Sequence, residues 1–293
     1  MNNNLEAKID STKNPRLLII FMAGLPGIGK STLFDNVIEH WINNGFNVVK
    51  VESDVLRQEA IKLERLKSES VNLTPLELEI KSKSVHVAML NDKCREEIQS
   101  LREEEEGDSI FILDKNFIND ALIEVIKLAA NDFFGDNHKT FFILPRQSNA
   151  EDLVVNTEGK ASPFYLDTLC ASLIKCFLRK GHISLNHGFS HSLKSVMGVV
   201  TAYSGQTFEN MGEKFDMSIL YFDYFNTEIL MQEPLRTVLK EKMLIIHDMV
   251  KNHDFDGDKC AELLLSEEEL AVAINGYENH KARYIALAKE IEK

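Results

Sequence analysis

Short apolar runs divide the first half of the chain. Four of them, rich in aliphatic and β-branched residues, have the length and the composition of buried strands. They lie at residues 17–23, 47–52, 109–113 and 140–144. The segments between the runs carry apolar side chains at helical spacing, which predicts helices that cover the strands. Strands that alternate with helices predict an α/β fold built on a doubly wound parallel sheet.

A helix-start signal places one boundary within this pattern. Thr74, Pro75 and Glu77 have the spacing of an N-cap, a first-turn proline and the acid of a capping box. The helix that they open is predicted to run to the acidic stretch at residues 103–106 and to stop at Gly107.

The second half of the chain predicts fewer strands. Residues 146–161 are predicted to form a loop, and Ser162 and Pro163 to begin a helix that ends near Leu178. Mostly helical sequence follows to Lys293, so we expect an α-rich C-terminal part.

The first apolar run is followed at once by GLPGIGKST, residues 24–32. This segment fits the phosphate-binding P-loop G-x-x-x-x-G-K-[ST] on Gly24, Gly29, Lys30 and Ser31. Glycines let successive backbone N–H groups turn toward phosphate oxygens, and the helix that follows adds its positive end. Lys30 is expected to reach the β- and γ-phosphates of a nucleotide, and Ser31 to hold Mg²⁺. We expect the nucleotide also to contact Gly27, Ile28 and Thr32.

Strand, glycine-rich loop and helix occur in the order that a P-loop requires. The alternative is a plain glycine turn between two core elements, and this order disfavours it.

Asp54 and Arg57 follow the second strand, at the edge where open α/β sheets bind ligands. A carboxylate there can accept a proton from an attacking hydroxyl, while a guanidinium steadies the transferred phosphoryl group. The spacing leaves an alternative about equally open, in which Asp54 caps a helix and Arg57 is a surface residue.

The third strand ends in Asp114, which Lys115 and Asn116 follow. An apolar strand that ends in an acid is typical of a Walker B element, in which Asp114 orients Mg²⁺. Lys115 and Asn116 are then expected to contact nucleotide or acceptor. The alternative is that Asp114 caps the next helix.

Composition narrows the function classes. The formal net charge of −13 argues against broad electrostatic capture of nucleic acid, although a local basic pocket suffices to bind one strand end. The four cysteines form no C-x-x-C pair, which is typical of reduced thiols in a cytoplasmic or nuclear protein. No stretch has the length of a membrane span, and the polar N-terminus lacks the apolar core of a signal peptide.

Taken in order, these motifs resemble the 5′-hydroxyl polynucleotide kinase domain of plant and fungal tRNA ligases. The matching pieces are GLPGIGKST, SDVLR, ILDKN and SPFYLDTLCASLIKCFLRKGH. The Asp-x-x-Arg pair is also similar to that of phage polynucleotide kinase. The likeness covers roughly residues 16–250. It departs from the fungal pattern at Phe117, where fungal relatives continue with polar residues and a histidine.

The resemblance implies a role for each matching residue. Lys30 and Ser31 would serve the donor phosphates and the metal. Asp54 would act as general base toward an RNA 5′-hydroxyl, and Arg57 would contact the transferred phosphate. A lid near residues 179–192 would close over the γ-phosphate with two further side chains, Arg179 and His182.

We therefore expect a Mg²⁺-dependent RNA 5′-hydroxyl kinase that uses GTP or ATP and prepares RNA ends, such as a tRNA 3′ half, for ligation. No nucleotidyl-transfer motif occurs in the chain, so the partner would be a separate RNA ligase. Residues 1–14 are expected to form a disordered tail, residues 15–250 the kinase domain and residues 251–293 a helical extension packed on it. The alternatives are a P-loop kinase of a small metabolite and a nucleotide-binding subunit without catalysis.

Overall fold

Parallel strands form the centre of the computed structural model. The described residues are 16–67, 72–103, 107–145, 153–156, 158–165, 168–169, 172, 176, 189–222 and 281–293. The strands, in chain order, are β1 (Leu17–Met22), β2 (Asn47–Glu52), β3 (Ser109–Asp114), β4 (His138–Pro145), β5 (Leu153–Val155), β6 (Ala161–Tyr165) and β7 (Ser218–Phe222). Five of them form a parallel sheet in the order β2-β3-β1-β4-β7, and β5 pairs antiparallel with β6. The predicted parallel α/β sheet is confirmed.

Helices cover both faces of this sheet. They are α1 (Lys30–Asn43), α2 (Ser53–Arg65), α3 (Pro75–Glu103), α4 (Asp120–Phe134), α5 (Phe189–Tyr203), α6 (Phe208–Phe215) and α7 (Lys281–Ile291). The chain steps from β1 to β2 in one direction across the sheet, and from β2 through β3 to β4 in the other. Because such crossovers are right-handed, α1 lies on one face and α2, α3 and α4 lie on the opposite face. Accordingly α3 packs against α2 and α4, whereas α1 packs against α7.

The central strand β1 is buried along its whole length, since it has a strand on each side and helices on each face. Its last residue, Met22, pairs with Asp114 of β3, and Asp114 also pairs with Glu52 of β2. The three strands therefore end at one level. The segments that follow them all begin at the same edge of the sheet.

The capping box at the start of α3 is confirmed. The Thr74 backbone N–H donates to Glu77 Oε2 at 2.8 Å, and the Glu77 N–H lies 3.3 Å from Thr74 Oγ1. The Thr74 hydroxyl also donates to Glu77 Oε2, at 2.7 Å. These bonds serve donors that a helix cannot satisfy internally.

The predicted loop at residues 146–161 and the predicted helix start at Ser162 and Pro163 are wrong. Strand β5 lies inside the first segment, and Ser162 and Pro163 lie within β6. Ser162, Phe164 and Tyr165 of β6 are buried, and the Phe164 ring packs edge-on against Tyr203 and Phe208. A two-stranded pair consists of edges, so the missing N–H of Pro163 is tolerated there.

The expectation of mostly helical sequence beyond this point overlooked β7. Helix α6 ends at Phe215, the φ of 48° at the C-cap residue Asp216 turns the chain, and β7 then adds to the edge of the sheet beside β4. The helix α7 near the C-terminus packs on α1, with Leu287 and Ile291 buried. Residues 1–14 lie outside the described residues. No helix in the described part of the chain is both long and apolar enough to cross a membrane.

We expect Thr74→Ala to lower the free energy of unfolding by about 1 kcal/mol, because it removes the side-chain half of the capping box. Chemical denaturation would measure the loss. The control is Ser84→Ala, an exposed position further along the same helix. Equal unfolding midpoints for Thr74→Ala and the wild type would contradict the assignment.

Candidate functional site

The glycine-rich loop runs from the end of β1 to the start of α1. Gly29 directly precedes α1 and has a φ of 103°, a conformation that favours glycine. Among the described residues, no side chain caps α1. The first N–H groups of the helix therefore face the loop without a side-chain acceptor, which suits an anion at this position.

A later part of the chain holds the loop from behind. The Ser172 hydroxyl donates to the Pro26 carbonyl at 2.6 Å, and the Cys176 thiol donates to the same oxygen at 3.3 Å. A Cβ atom on Gly27 would lie 2.8 Å from Cys176 Sγ and 3.2 Å from the Ser172 carbonyl oxygen. Only glycine fits this close approach.

Lys30 is buried and bends back over the loop. Its ammonium donates to Asn116 Oδ1 at 2.6 Å and to the carbonyl oxygens of Leu25 and Gly24 at 3.0 and 3.2 Å. The contact with Asn116 joins the loop after β1 to the segment after β3. A nucleotide phosphate would replace these neutral acceptors with charged oxygens.

Ser31 and Asp114 form the pair predicted to hold Mg²⁺. The Ser31 hydroxyl donates to Asp114 Oδ2 at 3.1 Å. Burial raises the pKa of Asp114, while Lys30 and the bond from Ser31 act in the opposite direction. A hydroxyl beside a desolvated carboxylate fits Mg²⁺, which takes hard oxygen ligands and completes its shell with phosphate and water.

Two observations bear on the alternatives for this pair. Helix α4 is capped by Asn119, whose side chain accepts from the Leu122 N–H at 3.0 Å, so Asp114 is not its cap. In the described residues no three His, Cys, Asp or Glu side chains converge as a metal-ion site.

Asp54 lies in the first turn of α2 and is half-buried. The N-cap position of this helix is Glu52, so the alternative in which Asp54 is the cap is wrong. No hydrogen bond or ion pair within the described part of the chain reaches its carboxylate. A carboxylate without a partner at the ligand edge of the sheet can accept a proton.

Arg57 lies one turn after Asp54 and forms an ion pair with Glu79 of α3. Both side chains are about one-third exposed, at 35% and 36%. The guanidinium is therefore not a buried structural group. To contact a phosphoryl group, as the sequence predicts, Arg57 would have to exchange Glu79 for that ligand.

One face of α3 contributes residues that the sequence interpretation missed. Glu79, Lys83 and His86 follow one another at helical spacing and line the same cavity as the loop. His86 Nε2 lies 3.2 Å from Ser53 Oγ and 3.1 Å from the Ser53 carbonyl oxygen. The Lys115 ammonium donates to Ser53 Oγ at 3.4 Å. A polar stripe at residues 79, 83 and 86 was the signal available in the sequence.

Burial lowers the pKa of His86 below its usual value, and the neighbouring charge of Lys115 adds to this effect. Burial also lowers the pKa of Lys115, although the nearby Asp54 opposes the change. Arg57 and Asp54 on α2 also act on His86, in opposite directions. This corner of the cavity therefore places a neutral imidazole and a desolvated ammonium close to the Asp54 carboxylate.

The cavity has a volume of about 730 Å³ and extends from the loop to α3. The predicted residues that line it are Gly27, Gly29, Lys30, Ser31, Asp54, Arg57, Asp114, Lys115 and Asn116. Gly24 and Ile28 lie in the loop but do not line the cavity, and Thr32 lies in the first turn of α1. Arg179 and His182 lie outside the described residues. The chemical role of each of these residues stays a prediction.

No family model matches the chain, and no curated protein matches its sequence. Similar solved structures include a fungal RNA kinase, with 13% identity over 90% of this chain and 98% of that one, at a TM-score of 0.40. Another belongs to the PezAT toxin–antitoxin system of Streptococcus pneumoniae, with 12% identity over 96% of this chain and 88% of that one, at a TM-score of 0.37. Likeness at this level carries no argument about activity.

We expect Gly27→Ala to weaken the binding of ATP and GTP by at least about tenfold, or about 1.4 kcal/mol. The new methyl group would press on Cys176 and displace the loop. Calorimetric titration with each nucleotide would measure the change. Gly205→Ala is a matched control, since Gly205 has a φ of 78° against 79° for Gly27 but no neighbour within 4 Å of a Cβ atom. Equal affinities for the two variants would contradict the expectation.

We expect the stability of the wild type to fall on acidification more steeply than that of His86→Gln. The unfolded chain has the higher histidine pKa, near 6.5, so it takes up the proton first as the pH falls. The stability that neutral His86 contributes is fully present above pH 6.5 and is lost as the pH falls below this value. Thermal unfolding between about pH 7.5 and about pH 5.5 would measure both slopes, with His138→Gln as a control outside the cavity. Parallel curves for the wild type and His86→Gln would refute this.

Proposed function

We propose that the chain is a Mg²⁺-dependent kinase that transfers the γ-phosphoryl group of GTP or ATP to the 5′-hydroxyl end of RNA. One observation carries the proposal. A glycine-rich loop with a buried lysine lines the same cavity as Asp54, a carboxylate that no described side chain pairs. Phosphoryl transfer needs these two parts within reach of each other, one to hold the donor and one to receive a proton.

The donor side uses the loop, Lys30 and the start of α1. Lys30 would exchange the carbonyl oxygens of the loop for oxygens of the β- and γ-phosphates, which are stronger acceptors because they are charged. Ser31 and Asp114 would hold Mg²⁺, which when bound neutralises charge on the phosphates. The backbone N–H groups at the start of α1 would complete the cradle.

The acceptor side uses Asp54. Its carboxylate would take the proton of the 5′-hydroxyl as that oxygen bonds to the γ-phosphorus. The bond from this phosphorus to the β–γ bridging oxygen breaks, and the nucleoside diphosphate leaves. Arg57 would steady the transferred group after it exchanges Glu79 for phosphate oxygens. The resemblance adds Arg179 and His182 as groups of a closing lid.

Two features support RNA as the acceptor. The motifs resemble those of 5′-hydroxyl kinases in their order along the chain. In addition, Lys83, Lys115 and Arg57 line the acceptor part of the cavity, although the whole chain carries a net charge of −13. These cations can contact the phosphates of one strand end, while Asp54 and Glu79 in the same wall limit broad attraction to nucleic acid. With this substrate, the role that we propose is in tRNA splicing or RNA repair, before a separate ligase.

Transfer of label from γ-labelled GTP and ATP to a 5′-hydroxyl RNA oligonucleotide would test the proposal. The same RNA with a 5′-phosphate must remain unlabelled. Small sugars and nucleosides serve as competing acceptors. Labelling of a small metabolite but not of RNA would favour a metabolite kinase, and nucleotide binding without turnover would favour a non-catalytic subunit.

We expect Asp54→Asn to lower the rate of transfer by about 10²- to 10⁴-fold, because the amide accepts no proton from the hydroxyl. Affinity for the nucleotide should persist, since Asp54 is no part of the loop. Single-turnover rates and calorimetric titration would separate the two. The control is Asp92→Asn, an exposed acid on α3 away from this cavity. Equal loss of transfer and of nucleotide affinity would contradict the assignment of Asp54 as the base.

A further inference from the structure

The start of α2 lacks the side-chain cap that commonly fixes a helix N-terminus. Its N-cap residue is Glu52, and no side chain in the described residues provides the capping bond. Asp54 follows two positions later and makes no hydrogen bond to any residue in the described ranges. Its carboxylate is therefore placed by the backbone of this turn. Whatever holds the turn also determines where the carboxylate lies.

Within this turn, Ser53 is the residue that other elements of the fold contact. It is buried, with 5% of its surface exposed. His86 of α3 contacts it twice, at the carbonyl oxygen and at the hydroxyl, and Lys115 at the end of β3 donates to the same hydroxyl. The turn that carries Asp54 is thus tied to α3 and to the sheet, across 33 and 62 positions of sequence.

The Ser53 carbonyl oxygen determines which nitrogen of the His86 imidazole carries the hydrogen. A carbonyl oxygen only accepts hydrogen bonds, so His86 Nε2 carries the hydrogen and donates it to Ser53. Since burial also favours the neutral form of His86, one tautomer follows, with hydrogen on Nε2. A single N–H group of α3 therefore donates to the Ser53 carbonyl, one turn before the Arg57–Glu79 ion pair joins the same two helices.

We propose that His86 is the positioning residue for Asp54, because it fixes the uncapped first turn of α2 through Ser53. This inference rests on the proposed function, in which Asp54 receives the proton. His86 acts on the backbone beside the carboxylate and does not itself take part in the transfer. His86 is thus a residue of α3 that supports the acceptor side of the cavity.

The inference predicts a specific kinetic pattern. His86→Ala leaves the Ser53 carbonyl without its partner on α3, so kcat for RNA should fall by about 10- to 100-fold through misplacement of the carboxylate. The KM for the nucleotide should stay unchanged, because no described contact joins His86 to the loop or to Lys30. His86→Gln keeps an N–H group near the position of Nε2 and should restore most of kcat.

A matched control is His138→Ala. The imidazole of His138 also contacts a backbone carbonyl, that of Gly135 at 2.8 Å, but at the start of β4 and away from the cavity. Its kinetics should equal those of the wild type. If His86→Gln is as inactive as His86→Ala, the imidazole itself is needed and the positioning role is overturned.

Hydrogen–deuterium exchange gives a readout that does not depend on activity. The amides of residues 52–57 should exchange faster in His86→Ala than in the wild type, His86→Gln or His138→Ala. Unchanged exchange in His86→Ala would overturn the inference even if its kcat falls. If the wild type transfers phosphate to no RNA, the proposed function fails, and the exchange experiment still decides whether His86 holds this turn.

Discussion

The register of β1 against β3, and of β3 against β2, determines where the site lies. Met22, Asp114 and Glu52 stand side by side at the ends of these strands. The glycine-rich loop, the Lys115–Asn116 segment and the first turn of α2 therefore start at one level. A slip of one residue in any of the three would turn Asp114 or its neighbours to the other face of the sheet.

Without a ligand, the charged side chains at this edge of the sheet carry a desolvation cost. Burial raises the pKa of Asp114 and lowers the pKa of Lys115, so the site disfavours the charged form of both groups. Lys30 satisfies its ammonium with neutral oxygens of the loop and Asn116. A polyphosphate with a divalent cation brings the opposite charge to each of these groups. Binding then relieves a desolvation cost that folding has already imposed, which favours such a ligand over a neutral one.

The sequence predicted those parts of the fold and site that depend on local order. The strand before Gly24, the loop itself and the capping box at Thr74 each lie within a few residues, and their chemistry is fixed by that spacing. Ser162 and Pro163 were misassigned because a proline without an N–H suits both a helix start and an edge strand. Packing of the Phe164 ring against Tyr203 and Phe208 favours the strand. These partners lie far along the chain, so no local sequence pattern contains the contact. His86 was missed for the same reason, since its partner Ser53 lies on another helix.

The two ends of the cavity are supported by separate parts of the chain. On the donor side, Ser172 and Cys176 hold the loop through the Pro26 carbonyl. On the acceptor side, His86 holds the first turn of α2 through the Ser53 carbonyl. In both places a side chain from a distant segment donates to a backbone oxygen next to a residue assigned to the chemistry. Because the two supports share no described residue, changes at one should alter nucleotide affinity and changes at the other the rate of transfer. Changes at sites without shared partners and more than about 7 to 10 Å apart usually combine additively.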